Sequence, residues 1–140
     1  MSQRALVDIN VLLDVLAQRE PHYAASAAVW AAAETGEIDG LVSATSVTTL
    51  YYLLRRAADH ATALNGIRLM RRIFRVIPVD AALLDEALAS PLHDFEDAVQ
   101  YHGALRAGAA AIVTRDVRNF RGASLPVRTP EAFLARSEPE

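Results

Sequence analysis

The chain has 140 residues, 52% of them hydrophobic, and a formal net charge of −3. That length and apolar content are enough for one domain with its own core, and the weak acidity excludes a general polycation that coats nucleic acid. It contains no cysteine, which excludes disulfides and thiolate chemistry. All 14 basic residues are arginines, so no catalytic lysine exists. No secretory signal and no apolar run of the ~20 residues that span a bilayer is visible, so we expect a cytoplasmic protein without membrane contact.

Apolar runs alternate with segments of helical periodicity along the chain. The runs predict five buried strands, at residues 5–8, 41–44, 76–79, 110–114 and 125–128. Helices are predicted between them, at residues 10–17, 22–35, 46–58, 62–75, 81–89 and 95–107, with a last helical turn from Thr129. This alternation predicts a three-layer α/β/α sandwich around a parallel sheet of about five strands. We expect one domain over residues 1–136 and an acidic tail at 137–140.

Several residues are typical of helix ends. Pro21 suits the first turn of the second helix, and Gly36 suits the position after its end. Thr45 or Ser46 is expected to cap the third helix, and Asp80 the fifth.

Three aspartates lie at or near the carboxyl ends of predicted strands. Asp8 ends the first strand, Asp116 follows the fourth, and Asp97 lies in the first turn of the helix before the fourth strand. Ligands of open parallel sheets bind beyond the strand ends, and a right-handed crossover would place strands one and four side by side. The three carboxylates are therefore expected to meet at one end of the sheet.

Clustered carboxylates repel one another unless a cation neutralises them. Mg²⁺ and Mn²⁺ prefer oxygen ligands, and a bound metal activates water for phosphodiester hydrolysis. Each acid alone also has a structural interpretation: Asp8 as a helix cap, Asp97 as a first-turn acid behind a capping Asp94, and Asp116 as a turn residue. Their joint position at strand ends favours the metal site.

Polar neighbours of these acids have two interpretations each. Asn10 would orient the Asp8 carboxylate or hold a metal-bound water, or it is a plain turn residue. Asp14, one turn later, shares a helix face with Asn10. Glu96 is expected to point about 100° away from Asp97, towards solvent or an ion-pair partner.

Four arginines form a stripe at helical spacing, namely Arg68, Arg71, Arg72 and Arg75. The stripe is either an ordinary solvated face or a ridge that binds a phosphate backbone or an acidic segment of a partner protein. The spacing does not choose between these interpretations.

Four segments resemble the PIN-domain family, in particular its VapC-like branch: VDINVLLDVLAQREPHY, LVSATSVTTLYYLLRR, HDFEDAVQYHGALRAGAAAIVTRDVRNF and LPVRTPEAFL. The resemblance spans about residues 4 to 135. It implies an α/β/α sandwich and a Mg²⁺- or Mn²⁺-dependent ribonuclease. It also implies the toxin of a VapBC-like toxin–antitoxin pair, a homodimer neutralised by a small antitoxin protein that inserts a segment into the active-site groove.

The family's acidic positions map onto this chain. By resemblance, Asp8 matches the first acid, Asp97 the acid of the later helix and Asp116 the acid after strand four. Asp94 matches an additional acid of this branch, and Asn10 the polar residue that follows the first acid.

One position departs from the family pattern. Related toxins commonly carry a glutamate early in helix three, where this chain has Thr49. Threonine lacks the charge, although its hydroxyl would still bond a metal-bound water. Asp94 is the candidate to replace the missing carboxylate; otherwise weaker metal affinity and reduced activity are expected.

Other functions fit less well. The first residues of the chain resemble those of a haloacid-dehalogenase-like phosphatase only superficially. Asn10 stands where that class has its second aspartate, and the lysine that the class requires is absent. A response-regulator receiver is excluded by the same missing lysine. The main alternative is a PIN-like module that binds RNA or a partner through the Arg68–Arg75 stripe without cleavage.

Overall fold

The structure, a computed structural model, describes residues 2–136 and leaves the predicted acidic tail outside the described residues. Its sheet consists of β1 (Gln3–Val7), β2 (Ile38–Ser43), β3 (Arg75–Ile77), β4 (Ala111–Val113) and β5 (Val127–Arg128). The strand order is β3-β2-β1-β4-β5, and every neighbouring pair is parallel. The predicted five-stranded parallel sheet is therefore confirmed. That one domain covers residues 1–136 stays a prediction.

The helices follow the predicted order. They are α1 (Ile9–Leu16), α2 (Tyr23–Glu34), α3 (Ala44–Ala57), α4 (His60–Ile73), α5 (Ala81–Leu88), α6 (Phe95–Arg106) and α7 (Pro130–Arg136). A 3₁₀ turn over Val117–Phe120, which the sequence did not predict, follows β4. β5 has two residues instead of the predicted four; Pro126, which precedes it, has no N–H to donate to a ladder.

Two of the predicted helix-end assignments are wrong. The residue that caps α3 is Ser43 rather than Thr45 or Ser46, and its side chain makes no capping bond, because β2 runs into α3 without a loop. Pro21 lies before His22, the N-cap of α2, and not inside the first turn.

Other predicted ends are confirmed. Asp80 caps α5, with its Oδ1 accepting a hydrogen bond from the Leu83 N–H at 2.9 Å. Gly36 follows α2 with φ 84°, a left-handed conformation that favours glycine.

Alternating strand residues supply two cores, one on each face of the sheet. Ala5 and Val7 of β1 pack in a cluster with α1, α2, α3, α4 and α7, whereas Leu6 packs in a second cluster with α5 and α6. Successive strand side chains point to opposite faces, so each face needs its own cover. The result is the predicted three-layer α/β/α sandwich.

The strand order reverses at β1, which lies in the middle of the sheet. The chain leaves β1 for β2 on one side and returns to β4 on the other, with Val7 in register with Val113. The Asp8 N–H donates to the Val113 carbonyl at 2.9 Å. Such a switch point opens a crevice beyond the strand ends, and the residues that follow β1 and β4 line it.

Gly40, in the middle of β2, lies against an aromatic side chain. A Cβ at this position would lie 2.6 Å from Phe74 Cδ2 and 3.1 Å from Ala33 Cβ. Phe74 is buried and packs edge-on against Trp30, with 5.2 Å between ring centroids, so it has little space to move. We expect Gly40→Ala to lower the free energy of unfolding by about 1–3 kcal/mol, measured by urea denaturation.

Gly103→Ala is the matched control. Its added Cβ would meet Ile77 Cγ2 at 3.5 Å, an ordinary contact, and alanine is favoured over glycine inside a helix. This variant is expected to be at least as stable as the wild type. A loss at position 103 equal to that at position 40 would contradict the steric explanation.

Candidate active site

Asp8 joins β1 to α1 and is only 7% exposed. Its Oδ1 accepts the Ile9 N–H at 2.7 Å, so the predicted capping role is real. Its Oδ2 accepts the Thr114 hydroxyl at 2.8 Å. Burial raises the pKa of Asp8, and the negative charge of Asp116 adds to the rise, while hydrogen bonds from Thr114 and Ile9 oppose it. Asp8 therefore caps α1 and also belongs to the acidic cluster.

Asp97 lies in the first turn of α6 and is 9% exposed. Its N–H donates to Oδ1 of Asp94 at 3.0 Å, which makes Asp94 the N-cap of the helix. Burial, followed by nearby negative charges, raises the pKa of Asp97 to about 7; the charges belong to Asp8, Asp94, Glu96 and Asp116. The structure therefore brings the predicted acids together around Asp97.

Asp116 is exposed and precedes the 3₁₀ turn. Its backbone carbonyl accepts the Asn119 N–H at 3.0 Å, but its side chain makes no capping bond. Asp116 is therefore a turn residue through its backbone carbonyl, without the side-chain bond of an Asx-turn. The carboxylate instead contributes negative charge to Asp8 and Asp97.

Thr114 was not predicted as a site residue, yet its hydroxyl joins three of them. It donates to Asp8 and receives hydrogen bonds from Asn10 Nδ2 at 3.3 Å and from the Asp116 N–H at 3.0 Å. Asn10 Oδ1 also accepts the Arg115 N–H at 3.3 Å. Asn10 thus supports Asp8 through Thr114 and not by direct contact. The only sequence signal was the position of Thr114 directly after β4.

Gln100 is a second site residue that the sequence analysis missed. It is buried one turn after Asp97, and its Nε2 donates to Asp97 Oδ1 at 3.3 Å. A hydrogen bond from the same side chain lowers the pKa of Asp8. Its Oε1 has no protein partner among residues 2–135. A polar residue at i+3 from Asp97 on a buried face was the available signal.

Thr49 and Glu96 meet between α3 and α6. The Thr49 hydroxyl donates to Glu96 Oε2 at 3.0 Å. Glu96 is exposed, as expected, and its carboxylate bonds a threonine hydroxyl rather than an ion-pair partner. Asp94, the predicted replacement for a helix-three glutamate, uses its Oδ1 to cap α6. Glu96 is therefore the acid that the structure places beside Thr49.

Asp14 is completely buried and faces an arginine instead of the other acids. Its Oδ2 accepts hydrogen bonds from Arg115 Nε at 2.8 Å and from Ser26 Oγ at 3.0 Å. Arg19 Nε lies 3.5 Å from the other carboxylate oxygen. Asp14 consequently holds Arg115, the residue just before Asp116.

The predicted arginine stripe loses one member, because α4 ends at Ile73 and only Arg68, Arg71 and Arg72 remain on that helix. Arg75 lies in β3 and pairs with Asp39 at 3.1 Å, near the starts of the strands and away from the acids. Arg68 donates to Asn65 of its own helix at 3.2 Å. Arg71 and Arg72 are exposed in the last turn of α4, and no carboxylate of residues 2–135 lies within 4.0 Å of them.

The acidic cluster has the chemistry of a site for a hard cation. It offers carboxylate and amide oxygens, which Mg²⁺ and Mn²⁺ prefer, and a cation would relieve the repulsion that raises the pKa of Asp97. Among residues 2–136, no three His, Asp or Glu side chains are already arranged to ligate one ion. Binding would thus use bridging waters, which Mg²⁺ retains readily, or small side-chain shifts.

Comparison with known proteins identifies the family. The family model of the PIN domain matches residues 4–118. Ribonuclease VapC1 of Aquifex aeolicus is 29% identical over 140 residues, which cover 96% of both chains. The chain therefore belongs to the PIN-domain family.

Solved structures show the same fold. VapBC2 from Rickettsia felis, bound to a promoter DNA fragment, aligns with a TM-score of 0.69 and 11% identity, covering 91% of this chain and 98% of that one. VapC20 of Mycobacterium tuberculosis, described as a toxin that cleaves the sarcin–ricin loop, aligns with a TM-score of 0.65 and 17% identity, covering 77% and 86%. Among the described residues, no helix is long and apolar enough to cross a membrane.

Proposed function

We propose that this protein is a Mg²⁺- or Mn²⁺-dependent endoribonuclease that hydrolyses RNA phosphodiester bonds. The observation that carries the proposal is the convergence of Asp8, Asp97 and Asp116 at the β1–β4 switch point, where the pKa of Asp97 rises to about 7. The similarity to a relative named as a ribonuclease supports it. The oxygen donors of the site suit either ion.

The cation would be held by Asp8, Asp97 and Asp116, with Asp94 and Glu96 adding negative charge at the rim. A bound ion supplies an activated water and neutralises charge on the reacting phosphate. The chain's own polar residues keep the carboxylates in position: Thr114 bonds Asp8 Oδ2, and Gln100 bonds Asp97 Oδ1. Without a cation, the raised pKa of Asp97 favours retention of a proton on its carboxylate far above the pH at which an ordinary aspartate loses it.

We further propose that the protein is the toxin of a VapBC-like pair, acting as a cytoplasmic homodimer that a small antitoxin protein neutralises. The structural neighbours include complexes titled VapBC and FitAB, each with a TM-score above 0.65. These neighbours have the same fold as this chain. Their presence in two-protein complexes supports an antitoxin partner for this chain by analogy. Purification of the chain with the product of an adjacent gene for a short DNA-binding protein would test the pairing.

The alternative is a catalytically reduced PIN module that binds RNA or a protein without cleavage. Thr49, in place of the glutamate that related toxins commonly carry, favours this alternative. The Glu96 carboxylate 3.0 Å from the Thr49 hydroxyl argues for an active site, because it restores an acid at that place.

Metal removal is the direct test of the nuclease. Antitoxin-free protein is incubated with end-labelled single-stranded and structured RNAs in Mg²⁺, Mn²⁺ or EDTA. We expect cleavage with either ion and none in EDTA, because the bound ion supplies the activated water and neutralises charge on the reacting phosphate. Exposed Asp85, on α5, supplies the matched control: Asp85→Asn should cleave like the wild type. Equal cleavage in EDTA, or no cleavage of any RNA with either ion, would refute the proposal.

A further inference from the structure

A groove lies beside the acidic cluster, on the surface formed by the turn after β4. It encloses about 480 Å³, and its polar lining consists of His93, Arg115, Asp116, Arg118, Asn119 and Arg121. Asp116 belongs both to this groove and to the acids whose charges raise the pKa of Asp97. The groove therefore adjoins the candidate catalytic centre at Asp116.

The backbone of the turn is well anchored. Phe120 is buried in the core beneath the turn. Backbone hydrogen bonds run from Asn119 N–H to the Asp116 carbonyl at 3.0 Å and from Arg121 N–H to the Arg118 carbonyl at 3.2 Å. The positions of the two flanking arginines, Arg118 and Arg121, are consequently set by the fold; we call these two residues the turn arginines.

The turn arginines leave the groove positively charged. Both are exposed, and among residues 2–135 no carboxylate lies within 4.0 Å of either. Arg115 is different, because its Nε is paired with the buried Asp14 at 2.8 Å, which holds its guanidinium at the groove wall. The groove thus combines one immobilised cation with two unpaired ones.

We propose that this groove binds the phosphate backbone of the RNA strand next to the scissile phosphate. The inference rests on the proposed ribonuclease function, because a strand with one phosphate at the acidic cluster must continue over the surface that adjoins Asp116. Guanidinium groups match phosphate oxygens with paired hydrogen bonds, and His93 and Asn119 add donors. Contacts of this kind position a strand without reading its sequence.

An acidic segment of a partner protein fits the groove less well. Protein segments obtain most of their affinity from apolar or aromatic anchors placed in pockets. Among the lining residues of this groove only Val117 is apolar. A lining with three arginines, one histidine and one asparagine against the single carboxylate of Asp116 matches a polyanion with regular charge better than it matches a peptide.

The test compares two arginine pairs that carry the same charge. Arg118→Ala with Arg121→Ala removes the turn arginines, and Arg71→Ala with Arg72→Ala removes two exposed arginines of α4. Binding of labelled single-stranded RNA is followed by fluorescence anisotropy in EDTA, at several salt concentrations. The turn variant should bind about tenfold more weakly at low salt, and the slope of log K against log salt should fall by about 1.4, as for two lost phosphate contacts. The α4 variant should keep both values near those of the wild type.

Further arms distinguish the remaining outcomes. Arg118→Lys with Arg121→Lys keeps the charge and should recover most of the affinity, and thermal melts check that each variant folds. Equal losses in both arginine pairs, or no loss in the turn variant, would overturn the proposal. So would unchanged RNA binding combined with lost binding of a polyglutamate peptide, since that result assigns the groove to an acidic partner.

The binding assay does not depend on cleavage. A wild type that cuts RNA but binds it independently of the turn arginines would refute the groove and leave the nuclease. A wild type that never cuts, yet needs the turn arginines to bind RNA, would refute the nuclease and leave the groove as an RNA-binding surface.

Discussion

Replacing Asp97 by asparagine is expected to reduce metal-dependent RNA cleavage by more than about 100-fold, because even outer-shell partners of a metal are worth 10- to 100-fold. The negative charges of the other carboxylates in the cluster raise the pKa of Asp97. Asparagine keeps the shape and the hydrogen bond from Gln100 but removes the charge that a cation needs. Single-turnover cleavage of a labelled RNA in Mn²⁺ measures the loss, with Asp85→Asn as the control. Equal activity in the Asp97→Asn variant would exclude Asp97 as a metal ligand.

The same substitution is expected to stabilise the metal-free protein at high pH. In the folded state the pKa of Asp97 is about 7, against the ordinary aspartate value of 3.8. A raised carboxyl pKa means that the unfolded chain releases this proton more easily, so wild-type stability falls as the pH rises from about 4 to about 7. The Asp97→Asn variant should keep its stability over this pH range, because asparagine does not ionise. At pH 8 in EDTA it should exceed the wild type by about 2 kcal/mol, allowing for solvent screening of the shift, whereas the two should be similar at pH 4.

Urea denaturation in EDTA at pH 4 and pH 8 measures this difference. Mn²⁺ at a hundredfold its dissociation constant should then stabilise the wild type by about 2.7 kcal/mol, and the Asp97→Asn variant by much less. A pH-independent difference between the two proteins would indicate a packing effect and contradict the electrostatic explanation.

Removal of the Asp14 side chain is expected to cost about 3 kcal/mol of unfolding free energy, because it breaks a buried ion pair from one side. Asp14→Ala leaves the Arg115 guanidinium, which is largely covered, without its carboxylate 2.8 Å away. It also removes the acceptor of the buried Ser26 hydroxyl. Urea denaturation at pH 7 measures the loss.

Asp39→Ala is the matched control for Asp14→Ala. Asp39 also pairs with two arginines, Arg4 at 3.6 Å and Arg75 at 3.1 Å, but Asp39 is half-buried and both arginines are exposed. Exposed ion pairs contribute about 0–1 kcal/mol, so this variant should be close to the wild type. The double variant Asp14→Leu with Arg115→Leu should recover part of the loss, since it leaves no unpaired charge. Equal losses for Asp14→Ala and Asp39→Ala would show that burial of the pair is unimportant.

Local chemistry explains which features could be predicted. The alternation of apolar runs with helical segments determined the parallel sheet and its two covered faces, because periodicity and burial are properties of short segments. The caps at Asp80 and Asp94 follow from the hydrogen bond that an aspartate makes to a nearby N–H. Asp8 and Asp116 were found because both lie next to strand ends.

Contacts between distant segments explain what was missed. The arginine stripe was predicted from helical spacing, but α4 ends at Ile73, and Arg75 enters β3 and reaches Asp39. Glu96 is 47 positions from Thr49, and no local pattern indicates that α3 and α6 place them in contact. The turn arginines border the acids because the 3₁₀ turn follows β4, not because of their spacing.

The amino-acid sequence by itself determined the class of fold and the acids that end its strands, since each of these depends on neighbours within one or two turns. Only the tertiary structure decided how those acids are held. Thr114 bonds Asp8 across 106 positions because Val7 and Val113 are in register in adjacent strands, and Gln100 lies between Asp8 and Asp97 because α6 packs on the same sheet. Strand register and helix orientation are set by packing of the whole core, which no single segment encodes.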